Sequence, residues 1–144
     1  MAEGTSPQIV FRVLMRDESD VAQARLRVRD LAVGRGLPAS AVEALATATS
    51  ELARNVIVHG GGGELLIGTI THRERSGLTV LARDNGPGIS NIEDAMRDGF
   101  STGDGLGLGL PSARRLVDEF EIQSRMGEGT IVTLTMWFDL RHGE

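Results

Sequence analysis

The chain contains no cysteine and no lysine, and both absences restrict its chemistry. Without cysteine it can form no disulfide, no thiol nucleophile and no thiolate metal site. Without lysine its side-chain positive charge is carried by arginine alone, and the Gly-Lys-Ser/Thr sequence that a P-loop requires is excluded. The lack of disulfide-forming residues is consistent with a cytoplasmic protein.

Long apolar runs and basic stripes are missing as well. No apolar stretch approaches the roughly 20 residues of a membrane-spanning helix, and there is no signal-peptide pattern, so no membrane association is expected. The net charge is −5, which argues against binding to a nucleic-acid backbone. With 144 residues, 40% of them hydrophobic, the chain is expected to form one domain over 1–144, with 1–7 as a flexible terminus.

Hydrophobic periodicity predicts the order β-α-α-β-β-lid-α-β-β. Strands arranged in hairpins, with helices between them, predict an α/β two-layer sandwich in which a mixed sheet is covered on one face by helices. The predicted strands are 8–15, 64–72, 77–83, 121–125 and 130–138, and the predicted helices run from the acidic cluster 17–20 to 34–36, from 38 to 58 and from 110 to 120, with a short helical or irregular piece at 91–98.

Two glycine-rich stretches stand on either side of a polar segment. Asp84 ends an apolar run and is followed by Gly86 and Gly88, which permit a sharp turn and close approach to a ligand. Alternate glycines over 103–109 then lead into a helical pattern, where N–H groups favour an anion. Alone, each stretch also fits a turn or a connector, and neither fits the dinucleotide-binding G-x-G-x-x-G pattern. Together they indicate the two halves of a nucleotide pocket.

The predicted helix 38–58 carries the polar pair Glu51 and Asn55. These residues are one turn apart, about 5–6 Å between side chains, at the edge of an apolar face. Ala44 and Ala48 lie beside Asn55 on the helical wheel, and their small size indicates space for a ligand. An ordinary polar flank is the competing interpretation.

Four motifs in order resemble the N, G1, G2 and G3 boxes of the GHKL ATPases. The motifs are Glu51-x-x-x-Asn55, Asp84-x-Gly86-x-Gly88, Gly105-x-Gly107-x-Gly109-Leu110 and Gly127-x-Gly129-Thr130, and the resemblance covers about 40–135. Gyrase-type ATPases, Hsp90 and MutL are far longer, and histidine kinases add a helical hairpin that bears the acceptor histidine. The expected branch is therefore that of the small serine kinases.

Within this branch, the stretches 50–55 and 98–120 look closest to the RsbT-type switch kinases. That resemblance implies a Mg-ATP-dependent protein serine/threonine kinase that phosphorylates a STAS-domain regulatory protein in a bacterial stress-signalling partner switch. His59, four residues after Asn55, is more like the RsbW-type anti-sigma kinases. The alternative is thus a nucleotide-gated anti-sigma factor or binding module whose main role is partner sequestration. A sigma factor or downstream phosphatase as partner, and a homodimer, remain open.

The resemblance also implies a role for each site residue. Asp84 would accept a hydrogen bond from the adenine amine, supported by Thr130, and so select ATP or ADP over guanine nucleotides. Asn55 would hold Mg²⁺, and Glu51 would be the catalytic base. A lid over 91–107 would exclude water. The remaining residues expected to bind the nucleotide are Gly86, Gly88, Thr102, Gly105, Leu106, Gly107, Leu108 and Gly109.

Several residues near the boxes have two interpretations each. For His59, a satisfied structural histidine at the helix end is favoured over a ligand-binding one. For Arg54, steering of Glu51 or contact with an acidic partner is weighed equally with simple solvation. For Arg25, Arg27 and Arg29, a solvated face is favoured over a partner surface.

Overall fold

A computed structural model of the chain describes residues 7–88, 96 and 109–138. Within these ranges no helix is both long and apolar enough to cross a membrane. The elements follow the predicted order. They are β1 (Gln8–Met15), α1 (Glu18–Gly34), α2 (Ala39–Val58), β2 (Gly63–His72), β3 (Arg75–Asp84), α3 (Leu110–Leu116), β4 (Glu119–Arg125) and β5 (Gly129–Phe138).

The five described strands form one sheet in the order β1-β2-β3-β5-β4. Every strand pairing is antiparallel, so the expectation of a mixed sheet was wrong. The hairpins β2–β3 and β4–β5 are antiparallel because short turns join them. The pair β1–β2 is antiparallel because α1 and α2 run out and back, so that β2 begins opposite the end of β1, with Gly63 beside Met15.

The core lies between the helices and one face of the sheet, which confirms the expected α/β two-layer sandwich. Alternate strand residues point into it, and each fully buried large side chain contributes about 1.5–3 kcal/mol. From α2, the expected face of Leu45, Thr49, Leu52 and Val56 is buried, whereas Ala41 is half-buried. The sheet contributes buried side chains from four strands: Val13, Met15, Leu65, Ile67, Leu78, Val80, Ala82, Val132, Leu134 and Met136.

Helix α1 begins at a capping box, as the acidic cluster predicted. The Asp17 side chain accepts a hydrogen bond from the backbone N–H of Ser19 at 3.0 Å, and the Asp20 side chain accepts from the backbone N–H of Asp17 at 3.3 Å. Asp20 is buried and also accepts from the Arg16 side chain and from the Arg16 backbone N–H at 2.9 Å. These bonds from Arg16 lower the pKa of the Asp20 carboxyl to about 2.

The last helix is shorter than predicted. α3 ends at Leu116, Val117 is already extended, and β4 starts at Glu119, so the prediction of a helix to residue 120 was wrong. Pairing with β5 overrides the local pattern. The backbone N–H of Asp118 donates to the carbonyl of Thr135 at 3.1 Å, and the Asp118 carboxylate accepts from the backbone N–H of Trp137 at 2.7 Å.

The first prediction concerns acid stability. Because folding lowers the pKa of Asp20 from about 3.8 to about 2, its carboxylate stabilises the folded state above pH ~4 and loses that effect as the pH falls towards 2. Asp20→Asn should therefore lower the thermal midpoint at pH 7 and flatten its fall between pH ~4 and ~2. Thermal unfolding across this pH range measures both, with Asp30→Asn on the exposed side of α1 as control. An unchanged acid slope in Asp20→Asn would contradict the assignment.

Candidate functional site

Three polar residues form a row along one edge of α2. Glu51, Asn55 and His59 are spaced four residues apart, so they lie on the same side of the helix over about 12 Å of its axis. His59 follows the last helical residue but keeps a helical backbone, with φ −92° and ψ −40°. The Asn55 side-chain nitrogen donates to the backbone carbonyl of Glu51 at 3.3 Å, which links the first two members of the row.

Asp84 is a buried carboxylate at the end of β3. Its Oδ1 accepts a hydrogen bond from the backbone N–H of Gly86 at 2.8 Å, while no residue in the described ranges donates to Oδ2. The turn after α2 packs directly on this carboxyl group, because a β-carbon at Gly60 would overlap it. The end of the helix and the end of the strand therefore meet at one acidic side chain.

Thr130 lies beside Asp84 on the neighbouring strand. The two residues are paired in the β3–β5 register, and Thr130 is buried. Its hydroxyl is 2.9 Å from the hydroxyl of Ser124 on β4. Ser124 was not among the site residues predicted from the sequence. Only the register between β4 and β5, which pairs Ser124 with Thr130, shows that Ser124 lies at the site.

A small cavity of about 20 Å³ lies where these elements converge, large enough for about one water-sized group. It brings together the predicted residues Asn55, Asp84 and Thr130 and adds His59. Its other walls are apolar. They were not predicted, although strand alternation places Ala82 on the side of Asp84, and Val132 on the side of Thr130. The apolar residues are Leu52, Val56, Ala82, Leu110 and Val132.

Glu51 lies at the other end of the row, against the start of α3. Gly109 precedes that helix with φ +80°, a left-handed conformation that favours glycine, and a β-carbon there would overlap Glu51 Oε1. Gly88 follows the strand-ending turn, in which the carbonyl of Pro87 accepts from the backbone N–H of Gly127 at 2.9 Å. The Gly86–Gly88 turn is thereby held to the β4–β5 turn.

Part of the expected site lies outside the described residues. This applies to the lid over 91–107, except for Met96, which packs against Leu110. It also applies to Thr102, Gly105, Leu106, Gly107 and Leu108.

Three expectations for α2 are corrected by the geometry. His59 is not a satisfied structural residue, since its Nε2 is buried and has no hydrogen-bond partner among the described residues. Arg54 does not steer Glu51, because its Nε lies 3.2 Å from the Glu18 carboxylate of α1, on the solvent-exposed surface. Contact of Arg54 with an acidic partner stays a prediction. The small residues Ala44 and Ala48 do not line the cavity, and Ala48 is packed into the core instead.

The donors at this site suit a metal that arrives with a ligand. Among the described residues there is no group of three or more His, Asp or Glu side chains that could hold a metal ion by themselves. Mg²⁺ is commonly held by one or two protein oxygens, with phosphates and water completing its octahedron. The amide oxygen of Asn55 is such a donor, because the amide nitrogen is already directed at Glu51.

A buried carboxylate at a strand end, facing a helix that carries Glu and Asn one turn apart, is the arrangement that the resemblance to nucleotide-binding ATPases implies. A family model described as the histidine kinase-like ATPase domain matches residues 14–136, and the chain belongs to this family. This confirms the predicted GHKL resemblance. The serine/threonine-protein kinase RsbT of Bacillus subtilis (strain 168) is 42% identical over 125 residues, which cover 87% of this chain and 94% of the relative.

Anti-sigma F factors are also similar. That of Clostridium acetobutylicum is 30% identical over 137 residues, covering 90% of this chain and 93% of the relative. That of Thermoanaerobacter sp. (strain X514) is 36% identical over 97 residues, covering 63% and 66%. Both predicted branches therefore contain relatives of this chain.

The second prediction tests the contact between α2 and Asp84. Gly60→Ala should lower the free energy of unfolding by about 1–3 kcal/mol, because its methyl group overlaps the Asp84 carboxyl group and one of them must move. Gly34→Ala is the matched control, since a β-carbon there meets nothing within 4 Å, and it should change stability by less than about 0.5 kcal/mol. Urea unfolding measures both. Equal stabilities of the two variants would show that the turn does not pack as described.

Proposed function

We propose that this chain is a cytoplasmic, Mg-ATP-dependent protein serine/threonine kinase that phosphorylates a STAS-domain regulatory protein in a bacterial partner switch. One observation carries the proposal: the row on α2 places Glu51 beside Gly109 at one end and the Asp84 cavity at the other. A nucleotide that lies along this row has the amine-bearing edge of its base at the Asp84 cavity and its phosphates towards Glu51.

Asp84 selects the base. With Oδ1 occupied by Gly86, Oδ2 is left to accept a hydrogen bond from the exocyclic amine of adenine. Guanine presents a carbonyl oxygen at the equivalent position, which would face the carboxylate and repel it. Thr130 supports this edge of the base, directly or through water. The apolar walls of the cavity exclude competing water from these contacts.

Asn55 and the glycines hold the phosphates. Asn55 would hold Mg²⁺ through its amide oxygen, and the ion would neutralise charge on the phosphate oxygens. Gly109 lies next to Glu51, and together with Gly105 and Gly107 it donates backbone N–H groups to the phosphates, a role that rests on the GHKL resemblance. The lid over 91–107 excludes water from the reacting groups.

Glu51 is the general base of the transfer step. The hydroxyl oxygen of a serine or threonine attacks the γ-phosphorus, the bond from that phosphorus to the β–γ bridging oxygen breaks, and ADP leaves with the electron pair. The hydroxyl proton passes to the Glu51 carboxylate. A carboxylate one turn before Asn55 is positioned for this, because the metal-binding and proton-accepting groups then share one rigid helix.

The partner assignment rests on likeness to RsbT. That relative aligns over 94% of its length, which supports a shared role in which a STAS-domain protein is the acceptor. A sigma factor or downstream phosphatase as a further partner, and a homodimer, stay predictions from the resemblance.

A second candidate function has an observation in its favour. Anti-sigma F factors align with most of this chain, and one covers 90% of it. In that case the same pocket gates binding, and sequestration of a partner matters more than phosphotransfer. The pocket alone does not separate the two functions, because both use bound nucleotide. Transfer to a partner separates them.

The third prediction concerns nucleotide choice. Wild type should bind ATP and ADP but not GTP, and Asp84→Asn should weaken ATP binding at least about tenfold, because a neutral amide replaces an anionic acceptor. Asp30→Asn, on the outer side of α1, should bind like wild type. Isothermal titration calorimetry measures all of these affinities. Comparable affinities of wild type for ATP and GTP would falsify the role given to Asp84.

The fourth prediction separates chemistry from binding. Glu51→Gln should keep ATP affinity within about threefold but reduce phosphotransfer by ~10²–10⁴, because only the proton acceptor is lost. Transfer of labelled γ-phosphate to a purified STAS-domain partner is measured alongside partner capture. Glu121→Gln, exposed on β4, is the control and should transfer normally.

Two outcomes bear on this assignment. Near-normal transfer by Glu51→Gln would remove the base role from Glu51. If wild type binds its partner only with ATP present, yet transfers no phosphate to it, the binding-module function is the correct one.

A further inference from the structure

His59 carries a polar atom that has no partner among the described residues. Its Nε2 is buried, and no described residue lies within hydrogen-bond distance in suitable geometry. Buried polar side-chain atoms nearly always have a partner, so an exception calls for an explanation. Nε2 of His59 is the only such atom found in the described part of the chain.

Helix capping does not explain this ring. At the end of α2 the turn is closed by backbone groups: the N–H of His59 donates to the carbonyl of Asn55 at 2.9 Å, and the N–H of Gly62 donates to that of Val56 at 2.9 Å. The imidazole takes no part in either contact. Its side chain instead lines the cavity that also contains Asp84.

The surroundings of this ring indicate what it could bind. Five of the nine residues that line the cavity are apolar, and the polar ones besides His59 are Asn55, Asp84 and Thr130. Asp84 offers an acceptor, and a neutral imidazole that is protonated at Nε2 offers a donor. The protein thus presents an acceptor and a donor in one small cavity. These groups match a ligand whose edge carries a hydrogen-bond donor next to an acceptor.

We propose that His59 is a specificity-determining residue, whose Nε2–H donates to a ring nitrogen of the adenine base held at Asp84. This inference rests on the proposed nucleotide site. On adenine the exocyclic amine lies between two ring acceptors, N1 and N7. While the amine donates to Asp84, one of these nitrogens faces the cavity wall that His59 forms. His59 and Asp84 then recognise one donor–acceptor pair, and the orphaned atom gains its partner when nucleotide binds.

A cycle of ligand and protein changes tests this contact. The ligands are ADP, 7-deaza-ADP and 1-deaza-ADP, each of the last two lacking one ring acceptor, and the proteins are wild type and His59→Phe. Wild type should bind one of the two analogues about 3- to 10-fold more weakly than it binds ADP. His59→Phe should bind ADP more weakly than wild type does, by a similar factor. It should bind that analogue no more weakly than it binds ADP, because the two changes remove the same hydrogen bond.

Two further variants complete the design. His72→Phe is the matched control, since His72 pairs with Arg75 at the hairpin turn, and Asp84 pairs with Gly63 at the opposite end of the same strands. It should behave like wild type with all three ligands. His59→Gln, which keeps a side-chain donor, should partly restore discrimination against the deaza analogue. Isothermal titration calorimetry supplies every affinity.

Several results would overturn the proposal. The proposal is overturned if wild type binds both deaza analogues as tightly as ADP. This result needs no variant, so it does not depend on whether His59→Phe folds. The proposal is also overturned if the affinity losses caused by the deaza ligand and by His59→Phe multiply when the two changes are combined. Unchanged ADP affinity in His59→Phe would overturn it as well. If ADP binds and Asp84→Asn weakens it, such results overturn the His59 contact alone. If wild type does not bind ADP, the proposed nucleotide site is wrong too.

Discussion

The buried carboxylate of Asp84 is the constraint on which the site depends. An acidic group taken out of water must be hydrogen-bonded, and here the backbone of Gly86 supplies one bond while Oδ2 is left for a ligand. Only glycine residues can approach this carboxyl group so closely. Gly60 from the helix layer and Gly86 from the sheet layer lie against each other beside the carboxyl group. The two layers of the sandwich are thus joined at the group that would recognise the base.

Helix α2 connects stability to function, because it serves the core and the site at once. Leu52 and Val56 are buried among core residues and also form walls of the cavity, while Glu51, Asn55 and His59 follow the adjacent edge. A change in the cavity wall would therefore affect both the packing of the core and the proposed nucleotide site. The row also gives the site a direction, because its first member meets Gly109 and its last lies in the cavity with Asp84. A ligand with a base at one end and phosphates at the other suits this polarity.

The two candidate functions differ in what happens beyond the nucleotide, and the described part of the fold explains why one pocket can serve both. In the proposed site the base lies between α2 and the sheet, whereas Glu51 lies at the opposite end of the row, beside α3. On this proposal, about 12 Å of helix separates the residue that acts on the partner from the residues that recognise the base.

By itself the sequence determined what depends on neighbours along the chain. Periodicity located the helices and strands, the acidic cluster at Asp17 marked the start of α1, and four-residue spacing put Glu51 and Asn55 on one side of α2. The glycine-box order identified the family. Only tertiary structure decided what depends on partners distant in sequence: that β4 begins at Glu119 because it pairs with β5, that all pairings between the described strands are antiparallel, and that Ser124 meets Thr130. The burial of His59 Nε2 belongs to this group too, because a helical pattern fixes the side of α2 on which a residue lies, whereas the strands packed against that side decide whether its polar atom finds a partner.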